Sequence, residues 1–86
     1  MITVRGVENG KDVISWGADG PEWTAIRRRL KFLIDGQVAA AAAPVLESAI
    51  AEFKRDHLAG AEVRATLEVL LSDLRKYPGA RLAVTG

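Results

Sequence analysis

Ile2-Thr3-Val4-Arg5-Gly6-Val7-Glu8-Asn9-Gly10-Lys11-Asp12-Val13-Ile14-Ser15-Trp16 is the stretch on which the fold turns. Its first four residues alternate apolar and polar, and Asp12 to Trp16 form a second β-prone run. Asn9-Gly10 lies between the two runs. That pair accepts the positive φ angles of a type I′ turn, whose twist matches that of paired strands. The reading is a β-hairpin with strands at residues 2–7 and 12–16. Whatever follows has to be placed against a sheet.

Working outward, Gly17-Ala18-Asp19-Gly20 reads as a loop, and Pro21 and Glu22 open a helix. Proline at the first helical position loses no hydrogen bond, and an early acid suits the helix dipole. Trp23, Ile26, Leu30, Leu33 and Ile34 then make one apolar stripe, which Asp35-Gly36 ends with a left-handed glycine. The run Ala39 to Ala43 meets Pro44. Two outcomes fit it: a short helix that stops at the proline, or one helix that continues through it. Beyond Val45, the residues Leu46, Ala49, Ile50, Phe53 and His57 share a face, with Gly60 as the stop. A third helix is expected from Ala61 to Tyr77, burying Val63, Thr66, Leu67, Leu70, Leu71, Leu74 and Tyr77 before Pro78-Gly79. Arg81 to Thr85 is a candidate short strand beside the hairpin. The expected fold is α+β in one small domain, residues 1–86: an N-terminal β-hairpin, three helices and a short C-terminal strand joining the sheet. Neither layer can bury its apolar face without the other.

Length and composition narrow the function classes. A chain of 86 residues buries only about 60% of the surface it exposes when unfolded. It has no cysteine, so no disulfide or thiolate metal site supports the core. Helix packing must do so, and self-association is a common aid in small scaffolds. No stretch approaches the roughly 18 apolar residues of a membrane span. Met1 to Arg5 lacks the pattern of a secretory signal, so the expected location is cytoplasmic. The net charge of +1 is smaller than the basic excess a dedicated nucleic-acid binder usually shows, so nucleic acid is not the favoured partner. Arginine outnumbers lysine, and alanine is abundant, a bias that suggests GC-rich coding in a bacterium or one of its phages.

No catalytic constellation stands out among the residues. His57 is the single histidine, and its place near a helix end predicts a structural role. Ser15, Ser48 and Ser72 lie outside any nucleophile elbow. Gly17 to Gly20 has neither P-loop nor dinucleotide-loop spacing. No acids cluster at ligand spacing. The sequence therefore predicts no enzyme, no metal and no cofactor.

One feature of the first helix resists a purely structural account. At about 100° per residue, the core stripe leaves Phe32 nearly opposite, flanked by Arg28 and Arg29, with Lys31 beside them. Such a patch could be a partner contact, since aromatic and arginine side chains are enriched at binding hot spots. Equally, Phe32 could pack under the hairpin, the alanine segment or the C-terminal tail. The alanine run allows close helix approach, within this domain or between two copies. Trp16 and Trp23 are expected to pack together across the loop between them.

These readings point to a small non-catalytic protein-interaction module, expected to be homo-oligomeric, and to a phage or mobile-element accessory protein that docks on a host protein. Its candidate partner-binding residues are Arg28, Arg29, Lys31 and Phe32, with the hairpin edge as a second surface. The alternative is a winged-helix-like DNA-binding or peptide-binding domain, with Tyr77 to Arg81 as a short wing. Against a DNA role, the outer face of the third helix mixes Arg64 and Arg75 with Glu68 and Asp73. Strands, a helix ending Leu33-Ile34-Asp35-Gly36, a second helix and then Glu62-Val63-Arg64 opening a leucine-rich helix is an order similar to leader-peptide-binding domains of ribosomal peptide biosynthesis. Those domains resemble a winged helix and bind peptide along a sheet edge. This chain is one N-terminal strand shorter, and the resemblance carries over no residue role.

Overall fold

The computed structural model describes residues 1–86. Strands β1 (Ile2–Glu8) and β2 (Lys11–Ala18) form the hairpin. Asn9 (φ 53°) and Gly10 (φ 76°) make the two-residue turn, as the Asn-Gly pair requires. Both strands are longer than the apolar runs suggest. Thr3 pairs with Gly17 and Ile2 with Ala18, so only Asp19 and Gly20 remain as loop. Ladder pairing asks little of the side chain at a strand end, which is why glycine and alanine could join. The register shifts between Gly6 and Val7 and leaves Val13 as the extra residue of a bulge. Gly6 is needed at that point. A β-carbon there would lie 2.9 Å from Cβ of Ile14.

Strand β3 (Arg81–Thr85) pairs antiparallel with β1, giving the order β2-β1-β3. Alternation sends Ile2, Val4, Ile14, Trp16, Leu82 and Val84 inward and leaves Arg5, Ser15 and Ala83 in solvent. One face of the sheet is therefore bare, and the helices cover the other.

The segment that opens with Pro21 is not one continuous helix. Pro21–Trp23 is a 3-10 turn, and α1 proper is Arg27–Ile34. The bonds Thr24 N–H to Pro21 O and Ile26 N–H to Trp23 O reach back three residues, and Leu30 N–H to Ile26 O is the first to reach four. The tighter winding aligns Trp23 with Ile26, and the later α-helical spacing aligns Ile26, Leu30 and Ile34. Four of the five stripe residues, Trp23, Ile26, Leu30 and Ile34, are buried, and Leu33 is half-buried. Trp23 meets Trp16 edge-on, with ring centroids 5.5 Å apart, and the Trp16 indole donates to Thr66 O at 3.0 Å.

Gly36 is left-handed (φ 77°), but its N–H does not return to α1. It donates to Leu82 O, while Leu82 N–H donates to Gln37 O and Val84 N–H to Asp35 Oδ1 at 2.8 Å. The chain leaving α1 thus covers the outer edge of β3.

Helix α2 (Ala39–Arg55) runs through Pro44 as a single helix. Its N-terminus has no side-chain cap; Ala80 O and Pro78 O accept from Ala39 N–H and Ala40 N–H instead. Ala39, Ala42 and Ala43 are buried in their own domain, and Ala40 and Ala41 are exposed. The end of α2 corrects the sequence reading. The helix stops at Arg55, and His57 lies beyond it, exposed and left-handed (φ 57°). Leu58 N–H donates to Phe53 O and His57 N–H to Lys54 O, the two bonds of a Schellman ending. Helical periodicity put His57 on the core face only because it assumed that the helix continued. Gly60 is the N-cap of α3 (Ala61–Lys76), not the stop of α2.

Helix α3 packs against β2 and α1 against β3, while α2 contacts both helices. The 25 buried hydrophobic residues form one cluster, with no buried polar residue among them.

Candidate interaction groove

Helix α1 is two turns long and divides its faces cleanly. Leu30 and Ile34 are buried, and Arg28 and Phe32 point away from them. Leu33 and Arg29 border α2, while Arg27 and Lys31 border the sheet. The structure settles the placement of Phe32: it is 88% exposed, the most exposed large hydrophobic residue in the chain.

Phe32 stands at the rim of a groove of about 410 Å3 between α1 and α2. Arg28, Arg29 and Leu33 join it from α1, and Ala49, Glu52 and Phe53 face them from α2. A neighbouring depression of about 370 Å3 shares Leu33, Ala49 and Glu52 and extends past Val45 and Ser48 to Pro44. The two form one open trough with a mainly apolar floor. Of the four candidate residues, Arg28, Arg29 and Phe32 come together here, and Lys31 does not. Lys31 lies with Arg27 and Arg28 around a separate depression of about 300 Å3 beside Val84 and Thr85. Arg28 borders both.

Sequence reasoning missed the α2 wall. Ala49 and Phe53 are legible as core and are buried, with 4% and 1% exposure, so nothing local says that they also underlie a surface depression. That depends on how far α2 sits from α1.

The four cations of α1 are unpaired. The ion pairs of the chain are the N-terminus with Asp19, Arg5 with Asp12, and Arg75 with Glu47. Helix α1 holds no acid in its first turn, so Arg27, Arg28 and Arg29 sit at the end where the helix dipole favours negative charge. Arg27 and Lys31 also repel each other across one helical turn. Local stability would be better served by an acid at any of the three arginines.

The second surface is the outer edge of β2, whose only partner is β1. A depression of about 280 Å3 beside it is rimmed by Asp19, Glu22 and Glu62. Lys11, Asp12 and the bulge at Val13 break up the half of that edge nearer the turn. The Tyr77 to Arg81 segment is held against the N-terminus of α2 by the Pro78 and Ala80 carbonyls. No three histidine, aspartate or glutamate side chains gather as a metal would require, and no helix is long and apolar enough to cross a membrane.

Comparison with protein-family models, with curated proteins and with solved structures gave no match.

Proposed function

We propose that this chain is a small non-catalytic protein-interaction module whose docking face is the α1–α2 groove around Phe32. The observation that carries the reading is the exposed phenyl ring beside an apolar floor. A lone exposed apolar residue needs no explanation, but one that borders a trough large enough for a side chain offers a contact site. Full burial of a phenylalanine is worth about 1.5–3 kcal/mol, which a partner would supply. On this reading the chain works without a cofactor in the cytoplasm, as an accessory protein of a phage or mobile element docking on a host protein.

Quantitative capture of partners from a GC-rich bacterial lysate tests the reading, comparing wild type, Phe32→Ala and Val69→Ala. Val69 is 57% exposed on α3, away from the groove, and serves as the control. Partners should be lost with Phe32→Ala and kept with Val69→Ala. Equal capture by all three proteins would remove the groove as the docking face.

A second reading is supported by the uncovered edge of β2, to which a partner could add a strand. Partner binding that is indifferent to Phe32 and protects the amides of residues 15–18 would favour it.

A further inference from the structure

We infer that the occupant of the α1–α2 groove is an amphipathic helix of a partner protein, with acidic residues along the flank that faces α1. This rests on the docking reading above and adds the partner's chemistry.

The shape argues for a helix. Two helices side by side leave a trough that a third can fill, and the floor here is a row at helical spacing. Val45, Ala49 and Phe53 are successive i, i+4 positions of α2, with Leu33 facing them from α1. The row spans about 12 Å, enough to meet two turns of a guest helix with anchors at i, i+4 and i+7. Ala49 at its centre is small and, like Phe53, already buried, so a guest side chain would rest above it against Phe32, Leu33 and Val45.

Charge selects the guest. Every charged residue of α1 is a cation, none is paired within the chain, and three stand at the dipole's unfavourable end. Carboxylates on a guest helix would relieve all three conditions together. Arg28 and Arg29 border the groove directly, and Arg27 and Lys31 extend the positive field behind them. Glu52 on the opposite wall places one negative charge against the guest's other flank, which sets its orientation.

A second copy of this chain fits less well. A two-fold contact through the groove would set one α1, with its four cations, close to another. Nucleic acid also fits less well, because phosphates gain nothing from Phe32, Leu33 and Val45 and are repelled by Glu52. Both remain readable outcomes of the test.

The probe is a fluorescein-labelled synthetic helix of about 16 residues, long enough to cross the trough. It carries a leucine stripe at i, i+4, i+7 and i+11, with glutamates on the flanks. A second peptide keeps the stripe and replaces each glutamate by lysine, and a labelled DNA duplex is the third probe. Anisotropy is read against wild type, Phe32→Ala, Arg28→Glu and Val69→Ala. The glutamate peptide should bind wild type at least about tenfold more tightly than the lysine peptide. Phe32→Ala and Arg28→Glu should each lose about tenfold or more, Val69→Ala should lose nothing, and 1 M salt should weaken binding. Equal affinity for the two peptides, or no binding of the glutamate peptide, overturns the acidic-helix assignment. Tighter binding of the duplex overturns it in favour of nucleic acid. Phe32-dependent dimerisation in light scattering overturns it in favour of a second copy. If only the assignment fails, lysate capture still depends on Phe32; if the docking reading fails, that dependence disappears as well.

Discussion

His57 adopts a backbone conformation that suits glycine and costs other residues about 1–2 kcal/mol. It does so because the chain must reverse after α2 to bring Leu58 back over Phe53. The side chain is exposed and makes no hydrogen bond or ion pair that would offset the strain. His57→Gly should therefore stabilise the protein, by about 0.5–1 kcal/mol once the extra freedom of unfolded glycine is subtracted. Urea denaturation would show it as a higher midpoint at unchanged slope. A lower midpoint would mean that the imidazole contributes an interaction the backbone account omits. At this scale the sequence was legible where a residue type answers to one geometry, as Asn9-Gly10 does. His57 was not, because nothing about histidine announces a left-handed position. Phe32 fell between: helical angles put it opposite the core, and only the surrounding elements could decide whether something covered it.

Helix α1 breaks a local rule for which the chain itself shows no compensation. Three arginines at its N-terminus oppose the dipole, and no acid of the chain pairs with them. Arg28→Glu should raise stability by about 0.3–1 kcal/mol while weakening partner binding. A thermal melt of the isolated protein separates the two effects; a lower melting temperature would show that Arg28 supports the fold and that its loss is no test of binding. The exit from α1 behaves in the opposite way, with a single side chain serving a distant element. Asp35 accepts from Val84 N–H at 2.8 Å, so Asp35→Ala leaves a strand amide without its partner. A cost of about 1–3 kcal/mol is expected, with a smaller cost for Asp35→Asn, which keeps an acceptor. Faster hydrogen exchange at the Val84 amide would localise the effect. The sequence marked Asp35-Gly36 as a helix stop, but its attachment to β3 joins residues 49 apart and has no local signature. The same holds at Pro44, where propensity allowed two outcomes. The Pro78 and Ala80 carbonyls anchor the start of α2 from a remote loop.

For the whole molecule, the predicted order of hairpin, three helices and C-terminal strand is the observed one. That level was legible because each element has its own periodicity and the apolar faces have to meet. The single hydrophobic cluster and a radius of gyration of 11.9 Å, close to the value of about 12 Å expected for a compact chain of this length, are the result. The groove was legible in part. Its rim could be read from α1 alone, whereas its floor is set by how α1 and α2 meet. Two surfaces are candidates for the proposed docking face, and they lie on different elements: the trough between α1 and α2, and the outer edge of β2. Amide hydrogen exchange on the isotopically labelled chain, free and bound to its captured partner, separates them residue by residue. Docking in the α1–α2 groove should slow exchange in Arg28–Ile34 and Val45–Phe53, with β2 unchanged. Slowed exchange confined to β2 and the start of α3, with α1 unchanged, would contradict it.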